Sequence, residues 1–350
     1  MPQLYDVTTW NQQSWFSTGG TRSKKFIQSP GGKFYYFKKS YKTAGRDYFF
    51  EFWSEIVASG IGNLLGFDML KYDIAIDGED MGCLSENMLA NGEELIEGGK
   101  YLQAVENDFN PDVRTTRNMY SFQLIEAALK GFKLDNYLDR IIEIIVFDAL
   151  IGNSDRHQEN WAFVNIITFI PRTISEIDNA AKMGYFEKYP AWFRNSWIFK
   201  RMIDLEGKQV KQDAKLVKLY LQKTKGFTPI YDSGSSLGRE LTEEKVENML
   251  TDTQQFEAYL ARGTSEIHWG DEKLNHFDLI VELLHSKYAD IVMQVIKRVI
   301  EKFDGDAVEK LVNEVDDLVP ADYARFKLTM ARKRLMIKLI TSRFQILKSL

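Results

Sequence analysis

The chain has 350 residues, 44% of them hydrophobic and 27% charged, with a formal net charge of −5. That composition is ordinary for a folded globular protein and excludes extended disorder. The single cysteine, Cys83, excludes an internal disulfide and a cysteine-rich zinc site; four scattered histidines suggest no metal cluster, and the acidic balance argues against a general nucleic-acid binder.

The N-terminus, MPQLYDVTTWNQQSWF, lacks the basic flank and apolar run of a secretory signal. The most apolar segment, Ile141 to Leu150, is broken by Glu143 and Asp148, so no membrane span is expected. Gly19-Gly20 and Pro30-Gly31-Gly32 are turn signals ahead of Phe34 to Lys38, which reads as an aromatic-rich strand of a hairpin. A helix is predicted from about Asp47 to Leu65, where Phe52, Ile56, Ile61 and Leu65 follow a 3.6-residue period. Two strands follow, Met69 to Ile76 and Met81 to Ser85, around an Asp77-Gly78 turn.

Beyond Asn91 long helical patterns take over, at Glu93 to Glu106, Met119 to Lys130 and Leu134 to Ile151. They return at His276 to His285, Tyr288 to Phe303, Asp306 to Val315 and Asp322 to Leu347. A small mixed lobe, residues 1–88, therefore precedes a large helical one, residues 89–350, and the fold class is α+β and bilobal. No internal repeat or low-complexity linker separates them.

The chemistry centres on the octapeptide Asn153-Ser154-Asp155-Arg156-His157-Gln158-Glu159-Asn160, which sets a carboxylate and a carboxamide five residues apart at the exit of an apolar helix. A phosphotransferase needs donors around nucleotide phosphates, a cation on their oxygens, metal ligands and a group that orients the acceptor. Each has a candidate. Ser17 to Lys24 contains Gly19, Gly20, Thr21 and Lys24, and its backbone N–H groups can approach phosphates closely, although an ordinary hairpin turn explains the same residues. Lys38 is the candidate for the phosphate cation, with Lys33 and Lys39 as rivals; its partner is Glu55 on the following helix, with Glu51 kept open. Asp155 is the candidate acceptor-orienting carboxylate, helix capping by Asp155 or Asn153 being the structural alternative. His157 reads as a loop-bracing histidine rather than a base and is placed among the nucleotide contacts, whereas Arg156 could brace the loop or touch phosphate. The second metal-ligating aspartate is Asp232, which opens a Gly-Ser turn after an apolar run, or Asp178, which lies closer in sequence.

Four stretches together resemble the HipA-like serine/threonine kinases, whose active site is similar to that of phosphatidylinositol kinases. They are IGNSDRHQENW at 151–161, FTPIYDSGSSLGREL at 227–241, the strand and helix between residues 34 and 66, and RGTSEIHWGDEKLNHFDLI at 262–280. The resemblance implies that Asp155 is the catalytic aspartate, that Asn160 and Asp232 hold magnesium, and that Lys38 contacts ATP. It favours Asp232 over Asp178 and puts the adenine-binding hinge near Leu84 to Met88, at Glu86, through backbone groups. It further implies a short family member without the N-terminal subdomain of longer HipA toxins, with an insertion at about 165–225. A protein substrate bearing serine or threonine, a bacterial toxin or effector role, an antitoxin-like partner and a cytoplasmic site, or export without a cleavable signal, accompany that reading. No stable membrane association and no direct nucleic-acid binding are expected.

The aromatic residues Tyr185, Phe186, Tyr189, Trp192, Phe193, Trp197 and Phe199 in the insertion suggest a helical subdomain burying its own rings, or a docking surface. The C-terminal helix, with Arg325, Lys327, Arg332, Lys333, Arg334, Lys338, Arg343 and Lys348 among leucines, reads as packed with a basic outer face rather than as a surface for RNA or membrane. Phosphorylation of Ser17, Thr18, Thr21 or Ser23 by the protein itself would put negative charge where ATP phosphates must sit, and would inhibit. A lipid or small-molecule kinase, prompted by the Asp-Arg-His order, and a nucleotide-binding module without transfer are the alternative functions.

Overall fold

Short strands centred on apolar and aromatic runs, joined by turns at Gly32 and Gly78 whose positive φ glycine adopts without strain, build the N-terminal region. The computed structural model describes residues 1–13, 24–43, 46–110, 113–172 and 217–350. Strands β1 (Leu4–Asp6), β2 (Asn11–Gln12), β3 (Lys24–Gln28) and β4 (Phe34–Lys39) lead to a two-stranded ribbon, β5 (Lys42–Thr43) and β6 (Arg46–Asp47). Helix α1 (Glu51–Leu64) and the hairpin β7 (Asp73–Asp77) and β8 (Asp80–Glu86) follow. One curled six-stranded sheet runs in the order β1-β7-β8-β4-β3-β2, antiparallel except where β1 pairs with β7. Gly32, at φ 84°, makes the β3–β4 turn, its N–H donating to the Ser29 carbonyl at 2.9 Å. Val7, Ile27, Phe37, Ala75 and Leu84 form the core of this sheet.

The predicted helix from Asp47 starts instead at Glu51, because Arg46 and Asp47 pair with β5. Phe52, Trp53, Ile56, Val57 and Ile61 are all buried, so α1 packs on more than one face. The Trp53 Nε1 donates to the Phe326 carbonyl at 2.6 Å, and Phe49 stacks on the Phe326 ring at 5.2 Å. A Cβ on Gly60 would meet Leu311 at 2.7 Å, so glycine permits the close approach there.

The helix expected over Glu93 to Glu106 is a strand and then a helix: β9 (Glu93–Glu97) and α2 (Gly98–Val105). Strand β9 pairs with β10 (Ala162–Arg172), which pairs in turn with β11 (Val217–Phe227). Local periodicity cannot reveal such a distant partner. Gly98 lies where any Cβ would fall 2.2 Å from the Trp161 ring. Between these come α3 (Phe122–Gly131), capped by the Ser121 hydroxyl at the Leu124 N–H, and α4 (Leu138–Ile151). Residues Arg114–Met119 and Asp135–Tyr137, expected as helix starts in part, are 3-10 turns.

Among the described residues the remaining helices are α5 (Glu243–Thr251), α6 (Thr253–Arg262), α7 (His276–Leu284), α8 (Ala289–Lys302), α9 (Gly305–Glu314) and α10 (Met330–Ser349). The predicted helix from Asp322 divides into a 3-10 turn, Ala321–Phe326, and α10, which Thr329 caps at the Arg332 N–H. Three of the basic residues assigned to an outer face of α10 point inward: Arg332, Lys333 and Arg343 are buried. Arg332 pairs with Glu243 at 2.5 Å and Lys333 with Asp316 at 2.5 Å, so burial of these cations is compensated. Among the described residues no helix is long and apolar enough to cross a membrane.

The chain divides into two units. The first holds Met1–Met88, Asp139–His157 and Pro229–Leu350; the second holds Leu89–Leu138 and Gln158–Thr228. In the second unit Phe163 packs edge-on against Tyr101, Tyr137 and Phe227, and the Trp161 Nε1 donates to the Tyr120 hydroxyl at 2.9 Å. The aromatics at 185–199 lie outside the described residues.

His276 opens α7 with 1% of its surface exposed and no hydrogen-bond partner at Nε2. Burial, reinforced by the Arg343 and Lys273 charges, pulls its pKa from 6.5 to about 3. Above pH 6.5 the imidazole is neutral in folded and unfolded chains alike. As pH falls from 6.5 toward 3 only the unfolded chain takes up the proton, so stability is lost, by about 3 kcal/mol at pH 4.5. Urea melts at pH 7 and pH 4.5 should show the stability lost between them smaller by this amount in His276→Gln; an equal loss in both proteins would refute the assignment.

Candidate active site

Strand β4 presents Lys38, 6% exposed, toward α1, and its ammonium forms ion pairs with Glu55 and, at 2.6 Å, with Asp232. Glu55 is fully buried, one turn along α1 from Glu51. Burial pushes the Glu55 carboxyl up, Lys38 opposes that shift, and the Asp232 charge adds to it. The second Glu55 oxygen accepts from the Ser233 N–H at 2.8 Å. Gly234 follows, where a Cβ would lie 3.0 Å from Glu55 Oε1, so the loop can come this close to the carboxylate only with glycine or after displacement.

The rival residues have other partners. Lys33 pairs with Glu86 at 2.9 Å, Lys39 with Asp80, and Glu51 with Arg239 at 2.7 Å. Glu86 ends β8, with the Asn87 N–H donating to the Phe34 carbonyl at 2.8 Å. Lys24 opens β3 in register with Lys38. Gly19, Gly20, Thr21 and the hydroxyls proposed for self-phosphorylation lie outside the described residues, as does Asp178.

Asp232 does not end a full strand. Ile230 makes a single parallel bridge to Met69, its N–H donating to the Asp68 carbonyl at 2.7 Å and its carbonyl accepting from Leu70 at 2.9 Å. Asp232 itself has φ 55°, a left-handed conformation uncommon outside glycine, asparagine and aspartate. Its N–H donates to the Tyr72 hydroxyl at 3.3 Å. Burial, with Glu55 and Asp232 close by, raises the Tyr72 pKa well above its ordinary value, which keeps that hydroxyl protonated.

Asp155 lies in the loop after α4, which ends at Gly152, φ 67°. Arg343 caps this helix end: its Nη1 donates to the Ala149 carbonyl at 3.1 Å, and its guanidinium fills the space where a Gly152 side chain would be. The Asn153 carboxamide binds Asp148 at 3.0 Å through Nδ2 and accepts the Asp155 N–H at Oδ1 at 3.3 Å. Arg156 is buried and ties three segments together. Its Nε and Nη2 meet the two Asp148 oxygens at 2.9 and 2.8 Å, its Nη2 meets the Ser233 hydroxyl at 3.1 Å, and its Nη1 donates to the Tyr231 carbonyl. Asp232 is thus flanked by two residues held by the neighbour of Asp155. The His157 N–H donates to the Asp155 carbonyl at 3.0 Å, closing the turn.

Asn160 belongs to the second unit, where it is buried and follows Gln158, whose carbonyl accepts from Gly99 at 2.9 Å. Among the described residues no three His, Cys, Asp or Glu side chains converge as a protein-only metal cage. Magnesium does not require one, since it binds through one or two carboxylates, substrate phosphates and water. Asp232, a hard oxygen ligand beside a lysine that can neutralise phosphate, fits that ion. Sequence reasoning did not identify Tyr72, Ser233 or Ser235, and left the role of Arg156 undecided.

A strand lysine paired to a helix glutamate, beside an aspartate loop tied to a second aspartate loop, has the layout of a kinase active site. By sequence no family model matches the chain, and no curated protein does. Among solved structures it is similar to a Helicobacter pylori proinflammatory kinase, CtkA, with a TM-score of 0.67 and 15% identity, over 99% of this chain and 96% of that one. It also matches a chain of the HipA, HipB and operator DNA complex of Shewanella oneidensis MR-1, with a TM-score of 0.45 and 12% identity, over 95% of this chain and 65% of that one. The chain has a protein-kinase-like α+β fold, with a β-rich N-terminal region and a largely helical C-terminal part.

Proposed function

We propose that the protein is an ATP- and magnesium-dependent serine/threonine protein kinase. The observation that carries this reading is the meeting of Lys38, Glu55 and Asp232 beside the loop that bears Asp155. Glu55 holds the Lys38 ammonium in place for the α- and β-phosphates of ATP. Asp232 supplies carboxylate oxygen for magnesium, which when bound neutralises phosphate charge. Asn160 is proposed as a further ligand from its spacing along the chain alone. Asp155 orients the acceptor hydroxyl and accepts its proton as the oxygen attacks in line with the bond to the leaving diphosphate. Lys24 and Glu86 are proposed as nucleotide contacts at the mouth and hinge of the site, with the Gly19-Gly20-Thr21 turn over the phosphates and His157 closing the catalytic loop.

The test uses purified protein, γ-labelled ATP, magnesium and cell-lysate proteins, with acceptor sites located by mass spectrometry. Label on serine or threonine of proteins, abolished by chelation of magnesium, is the expected result. Nucleotide binding with no labelled product would sink the proposal, and label confined to lipid would replace the acceptor class.

A further inference from the structure

We propose that Ser235 is a positioning residue for the Asp155 carboxylate, an inference that rests on reading Asp155 as the acceptor-orienting group. The Ser235 hydroxyl donates to Asp155 Oδ2 at 3.1 Å, and Ser235 is 6% exposed. An ionised carboxylate only accepts, so the hydroxyl must be the donor in this pair. The bond fixes the carboxylate plane in the loop that bears it. A carboxylate left to rotate would meet an acceptor hydroxyl in many orientations, few of them reactive.

The backbone around Ser235 is built for this contact. The Ser154 N–H donates to the Ser235 carbonyl at 3.4 Å, and the Leu237 N–H to the Ile151 carbonyl at 3.1 Å, so the two loops run side by side. The Ser236 hydroxyl turns back to the Ser233 carbonyl at 2.6 Å, while the Ser54 hydroxyl of α1 holds the Ser236 carbonyl at 3.1 Å. Arg156 grips Ser233 on the other side. Asp232 and Leu237, at φ 55° and 54°, bracket the segment with two left-handed residues, a conformation that persists only where surrounding contacts enforce it. Five hydrogen bonds and two strained residues thus aim one hydroxyl at one carboxylate oxygen.

The competing account is that Ser235 stands where the acceptor hydroxyl belongs and blocks it. The two accounts predict opposite signs. Under positioning, Ser235→Ala lowers kcat about 10- to 100-fold and leaves the KM for ATP unchanged, as loss of an oriented group does. Ser235→Thr, which keeps the hydroxyl, restores most of the rate. In an Asp155→Ala background, Ser235→Ala changes the residual rate by less than about twofold, because the group it acts through is gone. A wild-type or raised kcat in Ser235→Ala overturns the proposal, as does a full-sized loss in the Asp155→Ala background. Should alanine lower the melting temperature, Ser235→Cys, close in volume but a weak donor, gives the same reading. Full activity in Asp155→Ala alone would overturn the assignment of Asp155, a separate outcome from failure of Ser235.

Discussion

Replacing Asp155 with alanine is expected to lower phosphoryl transfer about 10²- to 10⁴-fold, the usual contribution of a positioned general base. Nucleotide binding should survive, because Lys38, the group assigned to the ATP phosphates, is held by Glu55 and Asp232 rather than by Asp155. Folding should survive too. The Asp155 side chain accepts from Ser235 at the edge of the loop, whereas the buried ion pair that holds the loop is the one between Asp148 and Arg156. Single-turnover rates with saturating ATP, set beside nucleotide affinity, separate these effects. Transfer at the wild-type rate would remove Asp155 from the mechanism, and a joint collapse of binding and stability would make it a structural residue.

Residues read from local pattern and those that escaped it differ in the sequence distance of their partners. Lys38 and Glu55 stand on a strand and the next helix, 17 residues apart, so the order of elements was enough to suggest the pair. Strand β4 and helices α7 and α8 followed period and turn signals closely. Strand β9 did not, since its pairing with β10 depends on residues beyond α4 and on a glycine beneath the Trp161 ring. Arg156 meets the Tyr231 carbonyl across 75 residues, and Ser235 meets Asp155 across 80, to partners that no periodicity announces. The inward-facing cations of α10 were misread for a related reason. Arg332 and Lys333 look like a solvated stripe until Glu243 and Asp316 are placed opposite them.

That α1 is fastened along its length bears on how the site is assembled. Helix α1 carries Glu55, and it is held by the Trp53 bond to Phe326, by Ser54 on Ser236, by Glu51 on Arg239 and by the Gly60 contact with Leu311. Rotation of the helix would break several of these at once. The Lys38–Glu55 pair is therefore assembled by packing within the first unit. Kinases in which this helix must be brought into position make the pair conditional; here the contacts that hold it are part of the core.

Arg156→Met should destabilise the first unit by about 3–5 kcal/mol, because it strands the buried Asp148 carboxylate. Arg156 gives that carboxylate two of its hydrogen bonds, and Asn153 supplies another at 3.0 Å. A loss of that size is large beside the whole stability of a domain. The double replacement Arg156→Met with Asp148→Leu removes both charges and fills their place with apolar volume, so most of the lost stability should return, as it does for buried ion pairs replaced whole. Activity should not return with it. Tyr231 and Ser233 would still lack their donor, and Asp232 between them would lose its fixed relation to Asp155. Melting and transfer measured on the single and double variants therefore separate two roles of one side chain. A double variant that regains stability and stays at least about tenfold slow assigns Arg156 to aligning the two aspartates. A double variant as fast as wild type would reduce Arg156 to a counter-ion for Asp148, with the alignment left to the paired backbone of the two loops.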